Sequence, residues 1–281
     1  MAANLRQLLR MYALYARIDW HFLMRDKRIG LTCAVSDLIC MMASISGIAL
    51  LAIRFGGIGG LTADEILWML GFFTFADGFT YMMFSNYNVL NISRRIGRGQ
   101  IDHMLIQPVP LWMQLMTEGF APFSCASGVW AGIALLAVST ARLGIAVTPD
   151  WLLMLFLYTL ARTGVAMGIS YITGSAAFYR PVACEELSSL ALDALNAAGK
   201  YPFAGLSLWL QGVFTVALPV GLMAYLPGMI LLHKIDAAIV CVWPFAAAAG
   251  FLSLGGLIFR KGLRHYAEYG CPRYKEMGHR C

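Results

Sequence analysis

The sequence predicts an all-α integral membrane protein with six transmembrane helices in a single domain. Hydrophobic residues make up 59% of its 281 residues, charged residues only 13%, and the mean hydropathy is +0.68. A soluble globular domain carries about 25% charged residues, which argues against a soluble fold. Six apolar runs lie close to the roughly 20 residues that cross a bilayer. They cover residues 29–53, 66–89, 120–140, 151–178, 203–226 and 237–259.

The positions of arginine and lysine predict that both termini are cytoplasmic, because cytoplasmic loops carry an excess of these residues. With the six runs as spans, one set of loops holds nearly all the cationic side chains, including Lys200, together with the cytoplasmic tail 260–281. The other set holds only Arg54, Arg142 and Lys234. The net charge of +6 therefore reflects membrane topology, and no nucleic-acid partner is expected.

Residues 1–28 predict an amphipathic elbow helix on the membrane surface. Apolar residues recur at helical spacing, while Arg6, Arg10 and Arg17 fall within about 40° of each other around the helix. Such a helix lies in the interface rather than across the bilayer. No signal-peptide pattern precedes it.

The most polar interruption of the apolar chain is the stretch at 91–110, NISRRIGRGQIDHMLIQPVP. Its arginines are Arg94, Arg95 and Arg98, its glycines are Gly97 and Gly99, and it ends at Pro108 and Pro110. A short amphipathic pattern covers 101–106. We interpret residues 91–118 as a cytoplasmic segment through which a soluble partner acts on the membrane domain.

Residues 181–199 predict a second interfacial cytoplasmic helix that ends at Gly199. Glu185, Glu186 and Asp193 would be available to a partner. The run at 203–226 contains Pro219 and Gly221, so the outer end of this fifth span is expected to be broken or re-entrant.

Asp37, Asp77 and Arg162 lie inside apolar runs, where a lone charge costs at least ~2.5 kcal/mol. Asp77 and Arg162 lie at similar depth, so we expect them to pair across the second and fourth spans. Such a pair is either structural or part of a transport pathway. Asp37 has no evident partner, which suits attraction of a cationic substrate or a water-filled vestibule.

Two GxxxG patterns, Gly128 with Gly132 and Gly164 with Gly168, predict close approach of helix backbones. We expect them to pack the third span against the fourth or to form a subunit interface. The second span is rich in aromatic residues, which either pack against other helices or contact a flat substrate.

Signatures of catalysis are not found in the sequence. The patterns GxxxxGK[ST], GxSxG and HExxH do not occur, and five scattered histidines do not suggest haem ligation. The seven cysteines are expected to be free thiols. Cys271, His279 and Cys281 make only a weak case for a metal. We therefore expect a chain that is not an enzyme, binds no cofactor or metal itself, and takes energy from elsewhere if it is a pump.

Four stretches in order resemble a known family. GQIDHMLIQP (Gly99, Ile101, Asp102, Leu105, Pro108) is similar to the G-x-L-D-x-x-L-x-x-P signature of ABC-2 type permeases, with isoleucine in place of the usual leucine at 101. KYP at 200–202, PVGLMAYLP at 219–227 and GLRHYAEYG at 262–270 resemble later landmarks of a six-span branch of that family.

This resemblance implies a type V exporter-like transmembrane domain in the bacterial cytoplasmic (inner) membrane. It also implies a separate ABC ATPase subunit pair that binds ATP and Mg²⁺, and a second permease chain, the same or related. The segment after the second span would be the coupling helix. Ile101 and Leu105 would anchor it in the ATPase, and Asp102 and His103 would make polar contacts, although Asp102 is equally suited to capping a short helix. Separately from the resemblance, the acidic residues in the spans and the aromatic second span suit a small amphipathic substrate such as an organic cation or a drug, and also lipids or glycans.

Two other functions remain open at this stage. An integral membrane enzyme acting on lipids would use Asp102 and His103 as acid and base, although adjacent helical residues point about 100° apart. A membrane scaffold without transport is the third interpretation.

Overall fold

The structure, a computed structural model, describes residues 2–25, 27–84, 89–235 and 238–270 and is almost entirely helical there. The α-helices are α1 (Ala2–Arg25), α2 (Lys27–Phe55), α3 (Ala63–Phe84), α4 (Ile92–Gly97), α5 (Ile101–Leu105), α6 (Leu111–Thr117), α7 (Ser127–Leu143), α8 (Pro149–Gly174), α9 (Leu187–Gly199), α10 (Leu208–Gly212), α11 (Tyr225–Leu231) and α12 (Ala238–Tyr269). A short antiparallel hairpin of β1 (Gly57–Ile58) and β2 (Leu61–Thr62) joins α2 to α3. Short 3₁₀ turns cover Ser175–Phe178, Phe203–Gly205 and Pro219–Leu222, and a π-helical turn covers Val213–Ala217.

Within the described residues, four helices are long and apolar enough to cross a membrane: Gly30–Phe55, Ala63–Phe84, Pro149–Phe178 and Ala238–Tyr269. The chain is therefore a multi-pass membrane protein. The helix α7 is apolar but has 17 residues. It starts seven residues later than the predicted third span, while α12 continues ten residues past the predicted end of the sixth. The ends of two predicted spans, at 85–88 and 237, and the tail cysteines and histidine lie outside the described residues.

Each end of the molecule has its own set of ion pairs. At one end, here called the arginine end, α4 to α6 and the end of α8 meet, and Arg94, Arg95 and Arg98 form ion pairs. At the other, here called the glycine end, the β1–β2 hairpin lies beside two further ion pairs, Arg142–Asp64 and Lys234–Glu65. The helix α1 and the last turns of α12 both pack at the arginine end.

Helix α1 packs along one side only. Tyr12 Oη donates a hydrogen bond to the Met116 carbonyl, and the buried Asp19 accepts hydrogen bonds from the Phe123 and Ser124 amides at 2.8 and 3.1 Å. Burial raises the pKa of Tyr12. The three arginines of the predicted basic stripe are exposed on the opposite side. The helix is therefore amphipathic, and its place on the membrane surface stays a prediction.

The segment from 187 to 205 differs from the prediction. Glu186, just before α9, pairs with Arg94 at the arginine end, whereas Gly205 lies against Gly59 at the glycine end. A Cβ atom added at Gly199 would lie 2.7 Å from Met223 Cβ, so the last turn of α9 is packed in the core. The prediction of an interfacial helix at 181–199 is therefore wrong, because α9 runs into the helical bundle.

The run at 203–226 is not one helix. Four short helical pieces, two of them 3₁₀ and one π-helical, take the place of the predicted fifth span. The chain then stays near the glycine end, where Trp151 Nε1 donates to the Leu231 carbonyl at 3.2 Å and Lys234 pairs with Glu65. Pro219 lacks a backbone donor, but the short pieces begin at Phe203, so the run is irregular along its whole length and not only at its outer end.

Glycines bring two pairs of helices into backbone contact. A Cβ atom at Gly132 would lie 2.3 Å from Phe75 N, and one at Gly78 would lie 2.4 Å from the Gly128 carbonyl carbon, so α7 packs on α3. A Cβ atom at Gly168 would lie 2.5 Å from the Phe251 carbonyl carbon, and Gly164 also faces α12. The expected packing of the third span on the fourth is wrong: each glycine pair contacts a helix outside that hairpin.

Most of the aromatic side chains of α3 are packing residues. Trp68, Phe72 and Phe73 are fully buried, and Trp68 Nε1 donates to Thr140 Oγ1 at 3.0 Å. Only Tyr81 reaches the surface to any large extent. The packing interpretation of these aromatics is therefore the one that the structure favours.

We predict that Gly132→Ala lowers the thermal unfolding midpoint of the purified chain, because overpacking a core costs about 1–3 kcal/mol. Gly250→Ala is the matched control, since a Cβ atom at this α12 position meets nothing within 4 Å. Its midpoint is expected to stay level or rise. Equal midpoints for the two variants would contradict the packing of α7 on α3.

Candidate functional site

The predicted coupling segment is three short helices held at the arginine end. Gly99 adopts φ 68°, a left-handed conformation that lets the chain turn from α4 into α5. Gly97 packs against the next loop, where an added Cβ atom would lie 2.6 Å from the Pro181 carbonyl oxygen. These glycines fix the direction in which α5 leaves α4. Pro108 lies in the turn between α5 and α6.

Only part of α5 is accessible. Ile101 is completely buried and Met104 nearly so, in the apolar cluster that also contains Ile96 and Phe178. Ile101 therefore cannot serve as the exposed anchor that the resemblance implied.

The opposite side of α5 carries Asp102, His103 and Leu105, all exposed, and is continued by Ile106, whose exposure of 81% is among the highest for a large apolar side chain here. Ile106 was not anticipated, although it stands next to Leu105 in the same amphipathic pattern. These four residues form one exposed surface that contains both apolar and polar side chains.

A cavity of about 550 Å³ lies between α1 and the predicted coupling segment. Its polar lining includes Tyr15, Arg95, His103, Gln114 and Glu118. Arg95 pairs with Glu118 at 2.8 Å, and Gln114 Nε2 donates to the Met104 and Val109 carbonyls at 2.9 and 2.7 Å. Burial, followed by the Glu118 charge, raises the pKa of Tyr15. These bonds hold α5 to α6 and leave His103 at the cavity rim.

Glu185 and Glu186 are used within the chain. Arg98 Nε lies 2.6 Å from Glu185 Oε1, and Arg94 Nη2 lies 2.5 Å from Glu186 Oε2. The hydrogen bond from Arg94 is the main cause that lowers the pKa of Glu186. Both carboxylates are therefore engaged within the chain, and their contact with a partner stays a prediction.

A second polar cluster lies at the middle of α8. Arg162 is 1% exposed, and its Nη2 atom lies 2.7 Å from Asp77 Oδ1 and 3.1 Å from Asn196 Oδ1. Its Nη1 atom donates to Thr80 Oγ1 at 3.1 Å, and its Cζ atom lies 5.0 Å from the centroid of the Phe73 ring. The expected Asp77–Arg162 contact is thus present in the structure.

Asn196 and Lys200 belong to the same region and were not anticipated. Lys200 Nζ donates to Ser44 Oγ of α2 and lies 5.7 Å from the centroid of the Phe73 ring, at mid-length of α3. The sequence places Lys200 in a cytoplasmic loop, and the structure corrects this because α9 enters the bundle. Asp193, Asn196 and Lys200 lie at i, i+3 and i+7, so they share one helical face. This spacing is the sequence signal that could have grouped them.

Asp37 is exposed on α2 and lies seven residues, two helical turns, before Ser44. The two side chains therefore share one face of α2. Asp193, also exposed, lies seven residues before Lys200 on α9. Because Lys200 bonds to Ser44, the carboxylates of Asp37 and Asp193 both lie about two helical turns from the Lys200–Ser44 contact, toward the arginine end.

These features define a polytopic α-helical membrane protein with a polar cluster inside the bundle and a structured polar segment at one end. Residues 38–270 match the family model described as ABC-2 family transporter protein. The chain belongs to this family and is an ABC-2 type transporter permease, the membrane component of an ABC transporter system. Comparisons with curated proteins and with solved structures found no match.

We predict that Asp77→Ala destabilises the chain much more than Asp64→Ala. Removing Asp77 leaves the buried Arg162 cation without its carboxylate, which costs about 3–5 kcal/mol. Asp64 pairs with Arg142 at 3.4 Å on the exposed glycine end, where a pair contributes about 0–1 kcal/mol. Thermal unfolding of both variants in the same detergent measures the difference. Similar midpoints would contradict the assigned importance of the buried pair.

Proposed function

We propose that this chain is the permease subunit of an ATP-driven exporter. It forms the translocation pathway for a small amphipathic substrate and is driven by a separate pair of ATPase subunits, which bind ATP and Mg²⁺. One observation supports this proposal: in a chain of the ABC-2 family, α5 is attached through the buried Ile101 and Met104 and exposes its opposite side.

The proposal includes six membrane crossings, with the arginine end in the cytoplasm. The crossings are α2, α3, α7, α8, the segment 187–205 and α12. The segment 187–205 supports this count because it joins contacts at the two opposite ends of the molecule. The excess of arginine and lysine at the arginine end supports the orientation, in the bacterial cytoplasmic membrane.

Docking of the ATPase is assigned to Asp102, His103, Leu105 and Ile106. Two large aliphatic side chains exposed beside a carboxylate and an imidazole are typical of a protein interface, where a central apolar contact is surrounded by polar groups. Gln114 of α6 bonds to the Met104 carbonyl and Ile101 is buried, so the segment between Gly99 and Pro108 is attached to its neighbours and is not a free loop. Such attachment is what transmission of a mechanical step requires.

The pathway is assigned to the side of the bundle where α2, α3 and α9 present Asp37, Asp77 and Asp193. The helix α2 is mostly exposed along its length, and only residues near Ile45, Ile48 and Ala52 are buried. A second permease chain, the same or a related one, would cover this surface and enclose the pathway. Arg162 holds Asp77 in place from within the bundle.

The test is to purify the full chain together with the products of its neighbouring genes and to measure ATPase activity. We expect a nucleotide-hydrolysing subunit to co-purify. The variant Leu105→Asp/Ile106→Asp should reduce its recovery about tenfold or more, since each buried aliphatic side chain contributes about 1.5–3 kcal/mol.

Val147→Asp is the matched control, because Val147 is an exposed aliphatic residue in the loop between α7 and α8 at the glycine end. It should leave recovery unchanged. If both variants retain the ATPase equally, the docking surface lies elsewhere. If the chain alone transports substrate without any such subunit, the proposed function is wrong.

A further inference from the structure

The helix α9 is bonded to the predicted coupling segment (91–118) at one end and to the buried polar cluster at the other. At the arginine end, Arg94 of α4 and Arg98, the residue after α4, pair with Glu186 and Glu185, the two residues before α9. Ser93 Oγ lies 2.6 Å from Ser188 Oγ in the first turn of α9, and the Ser188 amide donates to Ser93 Oγ at 3.1 Å. Both serines are buried. The start of α9 is therefore fixed to α4 by charged and neutral bonds.

At its other end, α9 contacts two different helices. Asn196 Oδ1 accepts a hydrogen bond from Arg162 Nη2 of α8, and Lys200 Nζ donates to Ser44 Oγ of α2. Arg162 also binds Asp77 of α3. A shift of α9 thus changes the surroundings of the residues assigned to the pathway.

Between these ends, α9 is one uninterrupted helix of 13 residues, about 20 Å long. Leu192 is buried midway, and Gly199 fits against Met223 and Phe73. The helix ends immediately after, at Tyr201 and Pro202. A continuous helix transmits a displacement along its axis, and the irregular backbone that follows it absorbs the change in position.

We propose that α9 transmits movement of the predicted coupling segment to Arg162 and Lys200. The ion pairs Arg98–Glu185 and Arg94–Glu186 are the positioning pairs that connect this segment to α9. This inference rests on the proposed function only for the source of the movement. The connection itself is a property of this chain.

The two ion pairs suit such a role better than a stabilising one. Their side chains are between 19% and 45% exposed, and exposed pairs contribute little to stability. Each pair still fixes the distance between α4 and α9, because its arginine is bound through Nε in both cases. Breaking them should leave the fold intact and loosen the connection.

The first test uses the purified full chain in lipid nanodiscs, without an ATPase. Arg98→Glu reverses one charge, and Arg98→Glu/Glu185→Arg exchanges the two. We expect Arg98→Glu to increase amide hydrogen exchange in the last turn of α9 and around Ser44 of α2 by about fivefold or more. The exchanged pair should restore rates toward those of the unmodified chain. Arg98→Gln is the milder variant if Arg98→Glu does not fold.

Arg142→Glu is the matched control, since Arg142 forms a surface ion pair with Asp64 at the glycine end. It should leave exchange around Ser44 and Lys200 unchanged. Equal exchange in Arg98→Glu and in the unmodified chain would overturn the proposal, and so would an equal increase in Arg142→Glu. Neither result depends on whether an ATPase partner exists.

The second test uses the complex with its ATPase. Arg98→Glu should keep ATP hydrolysis within about twofold and reduce substrate transport about fivefold or more, and the exchanged pair should recover transport. A purely structural role would lower both activities together with the unfolding midpoint, and would overturn the proposal. If the unmodified chain binds no ATPase, this result contradicts the proposed function instead.

Discussion

The buried guanidinium of Arg162 is the constraint on which the bundle depends. A cation at the middle of a transmembrane helix needs charged and polar partners, because an uncompensated charge inside the membrane is expensive. The partners come from two other helices, Asp77 and Thr80 on α3 and Asn196 on α9. The helix α9 must therefore enter the bundle so that its amide reaches Arg162. One side chain thus specifies how three helices meet.

The same requirement organises the arginine end with different chemistry. The two arginines of α4 and Arg98 just after it each pair with a glutamate, two before α9 and one after α6. These pairs are partly exposed, so they fix geometry more than they add stability. The buried Ile101 and Met104 supply the apolar attachment for α5. In the sequence these residues resemble a free charged loop, but in the structure they are ordered by ion pairs and burial. The exposed side of α5 is held in place by them.

Much of this could be predicted from the sequence, and the failures have physical causes. Equal depth in two apolar runs was sufficient to bring Asp77 and Arg162 together, because a membrane leaves few alternatives for a lone charge. The amphipathic pattern of α9 was visible, but periodicity reports which face is apolar and not what covers it. An interfacial helix and a helix with Asn196 and Lys200 turned inward give the same pattern. The glycine pairs predicted close packing correctly but not the partner, because glycine reveals an approach and carries no information about which helix approaches.

The two kinds of helix contact also suggest which part of the bundle moves. The glycines of α3, α7, α8 and α12 bring backbones so close that sliding would produce clashes, so these two pairs behave as rigid units. The helix α9 lies between such units and is attached by hydrogen bonds and ion pairs, through Ser93, Arg162 and Ser44. The partly exposed ion pairs at the start of α9 exchange partners with a small change in free energy, whereas interdigitated backbones do not. In the proposed mechanism, a step delivered to α4 would move α9 before it separated α3 from α7, and the residues first affected would be those that surround Asp77.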